Sequence, residues 1–337
     1  MGVNGMKRFA HLLGAAAALA FAGQAMAAEY HFYLVPKNMN NPFFDQSRDG
    51  CKKVEAETGG AIKCTYIGPP EHGGGEEQIQ ILQDLLAKKV DGIAISPANA
   101  AAVARILERN RDSGVPVITF DADLLAKDRH LRIAYVGTNN YEIGVNLAKL
   151  VQKYKPQGGT ICIQSGGAAA DNHNQRMQGI RDTLSGQKSD SPPGVRLAGQ
   201  GGWTEVDGCP LYTNDDFQVA VNQMEDILAK YPQLDAFVPT GGFPQFLPQA
   251  YRNVVSKYRD RIQKHELALV VADTLPVQLD LLREGLSLGQ VGQRPFEMGY
   301  RAMYILRDIR EGKDVPEINY TGLDVCLPEN VDSCIGQ

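Results

Sequence analysis

The chain alternates short, almost wholly apolar runs with stretches of helical periodicity, and this constrains its fold more than any other feature. The runs are "YHFYLVP", "AIKCTYIG", "VDGIAISP", "VPVITFDAD" and "LRIAYVG", then "GTICIQSGG", "VRLAGQGGW", "LDAFVPTGG", "LALVVADT" and "LGQVGQ". Between them lie segments such as "EEQIQILQDLLAKK", which sets Ile79, Leu82, Leu85 and Leu86 on one helical face. Strands without a polar alternate face must be buried on both sides, which a parallel sheet between helix layers achieves. A weak internal repeat adds to this. "VDGIAISPANAAAVARIL…GVPVITFDAD" and "LDAFVPTGGFPQFLPQAY…LALVVADT" both run strand, Pro/Gly loop, helix, strand, aspartate. With 337 residues, the chain is long for one domain and suits two. The expected fold is α/β, with two doubly wound parallel-sheet lobes of five strands each.

Sheets of this kind bind ligands outside the carboxyl ends of their strands. Residues that follow strands are therefore the site candidates. The first loop supplies Asn41, Phe43 and Phe44 in "NNPFFDQSRDG"; "FDAD" supplies Asp121 and Asp123. Gly166 follows "ICIQS", Arg176 lies in "DNHNQRMQG" and Trp203 ends "GQGGW". Gly241 lies in "VPTGG", Asp273 ends "VVAD" and Gln293 sits in "GQVGQRP". Adjacent Phe43 and Phe44 diverge by about 100° on a helix, so one ring can face a ligand while the other packs beneath the loop. Aromatic faces beside carboxylates, a guanidinium and amides suit a sugar, whose C–H face stacks on a ring and whose hydroxyls pair with planar partners. Each polar residue also has a plainer role available. Asp121 and Asp273 can cap the helices that follow them, and Arg176 can form a surface ion pair.

Composition excludes other classes. A net charge of -5, with no Lys/Arg run, offers nucleic acid no basic surface. No metal-ligand spacing, calcium loop, P-loop or G-x-G-x-x-G occurs, so no cofactor is expected. "HGGG" at His72–Gly75 and "GLSLG" at Gly285–Gly289 imitate esterase motifs. However, the second follows a helical stretch and precedes a strand, the reverse of a nucleophile elbow, and no histidine follows Ser287. An enzyme is not expected. The "HGGG" segment is left as either a border of the cleft or a turn.

The N-terminus reads as an export signal. Lys7 and Arg8 precede the apolar "LLGAAAALAFAG", and "AMA" at 25–27 is a cleavage pattern, so residues 1–27 are expected to be removed. All six cysteines then lie in an oxidising compartment. Cys326 with Cys334 can close a small loop, and Cys51 with Cys64 can tie the first helix to the second strand. Cys162, in mid-strand, reads as a buried free thiol. Pairing among Cys51, Cys64, Cys162, Cys209, Cys326 and Cys334 is left open.

The mature chain resembles the periplasmic sugar-binding proteins of the ribose-binding type, receptors of ABC importers. The resemblance rests on "NNPFFDQSRDG", "VDGIAISPANAAAV", "GVPVITFDAD", "NQRMQGI", "VVAD" and "QVGQRPFEMGYRA". It implies a type I periplasmic binding protein with three crossovers near Tyr135–Thr138, Gln293 and Tyr320–Leu323. The lobes would be 28–137 plus 293–321 and 138–292 plus 322–337. It places Asn41, Phe43, Phe44, Asp121, Arg176, Asp273 and Gln293 against the ligand. Lys37, "IGPPE", "FDAD" and "VPTGG" resemble instead the branch that binds rhamnose or a furanosyl autoinducer. Lys37 and Asp123 are ligand candidates that can also pair with one another across the cleft entrance. The implied function is that of a monomeric periplasmic receptor that closes on a monosaccharide or polyol and delivers it to an inner-membrane permease. The alternative is a sensor for a chemoreceptor or histidine kinase, or an autoinducer receptor.

Overall fold

The computed structural model describes residues 29–335; the expected export signal lies outside them. The first half runs β1 (Tyr30–Val35), α1 (Pro42–Glu57), β2 (Ile62–Tyr66), α2 (Glu76–Ala87), β3 (Gly92–Ile95), α3 (Ala100–Arg109), β4 (Val117–Phe120) and β5 (Tyr135–Gly137). The second half runs α4 (Asn140–Tyr154), β6 (Gly159–Ser165), α5 (Asp171–Ser185), β7 (Trp203–Glu205), β8 (Leu211–Tyr212), α6 (Phe217–Lys230), β9 (Ala236–Pro239), α7 (Pro248–Val255), α8 (Arg259–Gln263), β10 (Ala268–Ala272), α9 (Pro276–Arg283) and β11 (Gly289–Gly292). The chain then returns through α10 (Pro295–Arg310), β12 (Ile318–Tyr320) and β13 (Asp324–Cys326).

These strands form two sheets, in the orders β12-β5-β4-β3-β1-β2 and β13-β11-β10-β9-β6-β7, with β8 paired to β6. The pairs are parallel except β11 with β13. The sheets thus hold six and seven strands rather than five each. Two of the additions, β12 and β13, are too short to show a periodicity. The run "VRLAGQGGW" is not one strand; a Gln200–Gly202 turn breaks it and β7 starts only at Trp203.

Strand patterning explains the layers. In β1, Phe32 and Leu34 join one buried cluster while Val35 joins another on the opposite face. In β3, Ala94 likewise points one way and Ile93 and Ile95 the other. Alternate residues face opposite sides, so only a strand apolar at every position can serve two helix layers. The first face carries Val54 of α1 and Met298, Ala302, Met303 and Leu306 of α10; the second carries Leu82, Leu85 and Leu86 of α2 and Val103, Ile106 and Leu107 of α3.

Two helix pairs are drawn close by glycines. An added Cβ at Gly299 of α10 would run into the Ser47 carbonyl oxygen of α1, and one at Gly50 of α1 into that of Phe296. The second lobe repeats the device, with Gly144 of α4 against the Arg176 carbonyl and Gly179 of α5 against that of Tyr141. Alanine is ordinarily worth about 1 kcal/mol over glycine inside a helix. Here the sign is expected to reverse, and Gly299→Ala should destabilise by roughly 1–3 kcal/mol through overpacking. An unchanged or raised melting temperature would refute this.

The cysteines form three disulfides, Cys51–Cys64, Cys162–Cys209 and Cys326–Cys334, with Cα separations of 6.0, 5.4 and 5.3 Å. The expectation of a free Cys162 is corrected. Its strand position put it among core residues, but the segment after β7 folds back over β6 and brings Cys209 to it.

Candidate ligand site

The chain crosses between the sheets after β5, after β11 and after β12, so the carboxyl ends of both sheets face one cleft. Lining it are Lys37, Asn41, Phe43, Phe44 and Asp121 from the first lobe, Asn172, His173, Arg176, Asp215, Gly241, Phe243 and Asp273 from the second, and Gln293 at a crossover.

Phe43 and Phe44 open α1 behind Pro42, and the Asn41 side chain accepts the Phe43 N–H at 3.0 Å as the helix cap. Their rings meet edge to face at 5.2 Å, and Phe44 rests on Phe120 at 6.0 Å. Both rings join the core cluster and both reach the cleft, so the two roles are not divided between them.

Asp121 and Asp273 occupy matching places, each just past a strand in left-handed backbone, with φ of 58° and 73°. Neither caps the helix that follows. The Asp121 carboxylate accepts the Ser96 hydroxyl at 2.7 Å and lies 3.3 Å from Lys37 Nζ and 3.8 Å from Arg176 Nη2. Asp273 accepts from Gln293 Nε2 at 2.7 Å and from the Gly242 N–H at 2.9 Å. Burial pushes the Asp273 pKa up, against the Arg176 charge and these two hydrogen bonds.

Lys37 and Arg176 bridge the lobes. Lys37 Nζ donates to Asn172 Oδ1 at 3.0 Å. Arg176 is 1% exposed; its Nε donates to Asn140 Oδ1 at 2.9 Å and its Nη1 to the Thr240 carbonyl at 2.7 Å. Three buried lining atoms have no hydrogen-bond partner: Arg176 Nη2, Asp215 Oδ1 and Gln293 Oε1. Such atoms are costly unless something satisfies them. The free space among the side chains is about 20 Å³, room for little more than a water. Entry of a larger molecule therefore requires the lobes to part or the long side chains to swing.

Two expected positions lie elsewhere. Asp123 does not pair with Lys37; it takes Arg132 through two bonds at 3.0 and 2.8 Å, together with the Thr119 hydroxyl at 2.6 Å. The left-handed turn at Asp121 sends the chain away from the cleft, so the two acids of "FDAD" part. Trp203 pairs with Gly159 at the start of β6, whereas the cleft lies beyond Ser165 at its end. Six residues of strand, about 20 Å, separate them, and Trp203 is core. The same segment reaches the site later: β8 pairs Tyr212 with Ser165 and so delivers Asp215. Asn172, His173, Asp215 and Phe243 were not singled out from the sequence. The first two open α5 in the "DNHNQR" that already carried Arg176, which was the available signal.

"HGGG" is a turn beside the cleft rather than part of its lining; His72 and Gly73 line a neighbouring cavity with Asp215. Gly73, Gly74 and Gly75 all have left-handed backbone, with φ of 48°, 71° and 92°, conformations that favour glycine. His72 is buried against Gly167 of the second lobe. "GLSLG" runs from the end of α9 to β11, and Ser287 is fully buried.

Asp171, also buried, begins α5 beside this site. Burial pushes its pKa up to about 6, opposed by the Gln175 amide and by Arg129 and Lys37. Between about pH 4 and 6 the folded protein then holds a proton that the unfolded chain has released. This contribution to stability is full below pH 4 and is lost as pH rises through 6. Asp171→Asn should remove that fall, as urea midpoints at pH 4 and pH 7 would show; an identical pH trend in both proteins would exclude the effect.

Residues 32–314 match the family described as periplasmic binding protein domain. The D-allose-binding periplasmic protein of Escherichia coli is 23% identical over 297 residues, 86% of this chain and 87% of that protein. The D-ribose/D-allose-binding protein of Pseudomonas aeruginosa is 24% identical over 155 residues, 45% of this chain and only 48% of that protein. An ABC transporter solute binding protein from Burkholderia graminis, solved in complex with D-arabinose, superposes with a TM-score of 0.75 at 29% identity, covering 91% of this chain and 98% of that one. With its paired α/β lobes and a cleft lined from both, the chain belongs to the periplasmic binding protein domain family.

Proposed function

We propose that the protein is a periplasmic receptor of an ABC-type importer, which binds one monosaccharide or sugar-like polyol between its lobes and presents it to a permease. The observation that carries this reading is the set of unpartnered atoms on Arg176, Asp215 and Gln293, converging beside Phe43, Phe44 and Phe243. Donors and acceptors at fixed positions next to aromatic faces match the hydroxyl edge and C–H face of a sugar. The names of the similar proteins, which bind D-allose, D-ribose or D-arabinose, agree with it. Lys37, Asn41, Asp121, Gly241 and Asp273 complete the ligand contacts.

The lobes, 28–137 plus 293–321 and 138–292 plus 322–337, close as bodies about the three crossovers. Residues 1–27 direct export and are removed. The role is binding and release rather than catalysis, as in the binding proteins that the chain resembles.

A thermal-shift screen of ligand-stripped protein against pentoses, hexoses, deoxy sugars and polyols tests this. A sugar at a hundred times its Kd adds about 2.7 kcal/mol to stability. The rise should disappear in Phe43→Ala and Asp273→Ala. A panel without any shift would overturn the proposal.

A further inference from the structure

The charges around the cleft do not balance evenly. Lys37 and Arg176 both lie near Asp121, at 3.3 and 3.8 Å. Asp273 has two N–H donors and the field of Arg176. Asp215 differs, since its Oδ1 has no hydrogen-bond partner. Its side chain is 2% exposed, so this oxygen is buried. The nearest basic nitrogen, His173 Nε2, stands 3.9 Å away, beyond hydrogen-bonding reach. The His173 ring is committed to the Thr240 hydroxyl through Nδ1 at 3.0 Å. Burial, with Lys37 and Arg176 nearby, pushes its pKa well down, so it supplies no charge.

From the opposite lobe His72 closes over the same place. Gly166 and Gly167 form the floor: an added Cβ at Gly166 would lie 2.5 Å from Asp215 Oδ1 and 2.7 Å from His173 Nε2, and one at Gly167 would lie 2.9 Å from His72 Cε1. His72 is 4% exposed, and neither ring nitrogen has a partner. Burial holds its pKa down too, so the ring is neutral and one nitrogen keeps a free lone pair. Unpartnered Asp215 Oδ1 and the unpartnered His72 ring, one from each lobe, therefore border one cavity, and Asp215 also lines the cleft beside it. A buried carboxylate is stable only when paired or hydrogen-bonded. A protonated amine would add charge to the hydrogen bond, which a neutral hydroxyl cannot.

We propose that Asp215 and His72 form an ammonium subsite, so that the ligand is a monosaccharide or polyol carrying a primary amine. The protonated amine gives one N–H to Asp215 and one to His72. The hydroxyls go to Arg176, Gln293, Asp121 and Asp273, and the carbon skeleton lies against Phe43 and Phe243. His72 and Asp215 come from different lobes, so the amine also holds the closed form together. This inference rests on the sugar-binding reading and narrows it.

The test uses isothermal titration and thermal shift on ligand-stripped mature protein. The probes are D-glucosamine and D-galactosamine, the neutral parents D-glucose and D-galactose, their N-acetyl forms, and D-ribose, D-allose and D-arabinose. An amino sugar is expected to bind at least tenfold more tightly than its neutral parent and its N-acetyl form. Asp215→Asn should abolish that preference while leaving the melting temperature of the unliganded protein no lower, since it keeps the shape of the side chain. Asparagine tolerates the left-handed backbone of residue 215, φ 58°, so the fold is kept. His72→Ala should weaken the amine selectively. If a neutral sugar binds as tightly as any amine and Asp215→Asn leaves that ratio unchanged, the ammonium subsite is wrong and sugar binding stands. If nothing on the panel binds, both fall.

Discussion

Replacing Arg176 by methionine is expected to cost roughly 3–5 kcal/mol of stability, the usual penalty for breaking a buried charge network by removing one partner, and to abolish ligand binding. The guanidinium joins four parts of the molecule: its own helix α5, Asn140 at the start of α4, the Thr240 carbonyl beyond β9, and Asp121 across the cleft. Methionine keeps most of the volume, so the loss is electrostatic rather than a cavity. It leaves the Thr240 carbonyl and the Asn140 oxygen without their donor and removes a positive charge that favours ionised Asp273. Lysine should recover part of the stability but not the binding, since an ammonium cannot fill the planar fork. The single tryptophan makes the measurement specific. Trp203 is buried in the second lobe, so its fluorescence in urea reports the lobe that contains Arg176. A change below about 0.5 kcal/mol, the range of ordinary surface substitutions, would refute this account of the site.

The second large effect belongs to Cys162–Cys209. Its ends are 47 residues apart, against 13 for Cys51–Cys64 and 8 for Cys326–Cys334. Loop-closure entropy then assigns them ~4, ~3 and ~2.5 kcal/mol, in that order. The double replacement Cys162→Ala/Cys209→Ala should therefore lower stability most among the three pairs. It should also weaken ligand binding, because this staple anchors to β6 the segment that carries Asp215 into the cleft. The other two pairs lie outside the cleft lining and should change stability with little effect on affinity. Chemical denaturation of the three double variants gives the ranking, and titration of each gives the affinity. Equal losses in all three would contradict the loop-length account. Unchanged affinity in the first would separate the staple from the site.

Much of the site was legible in the sequence because of where the strands end. Asp121 and Asp273 close equivalent halves of an internal repeat, and the carboxyl ends of parallel strands make one rim. Nothing beyond strand periodicity was needed to send both to the cleft. "NPFF" was legible for a similar reason, since a cap, a proline and two rings begin α1 where β1 delivers the chain. Asp123 was misplaced because its position depends on the backbone of its neighbour. A left-handed residue at 121 cannot be read from the identities of 121 and 123. Trp203 was misplaced because it follows an apolar run, the same signal that succeeded at Asp121. At β7 that signal misleads, since the strand begins at the tryptophan instead of ending there.

The class of fold, the alternation of the main strands and helices, and the rim on which a ligand site must lie were legible in the chain alone. These follow from apolar periodicity and turn residues, which act over a few neighbouring positions. Which polar groups face one another is settled in three dimensions. Lys37 meets Asn172 across 135 residues of chain, Arg176 meets Thr240 across 64, and Cys162 meets Cys209 across 47. His72 and Asp215 come from different lobes to the same Gly166–Gly167 turn. Hydrogen bonds and ion pairs act over a few ångströms of space and are indifferent to separation along the chain. Their partners exist only once both sheets and the crossovers between them are in place.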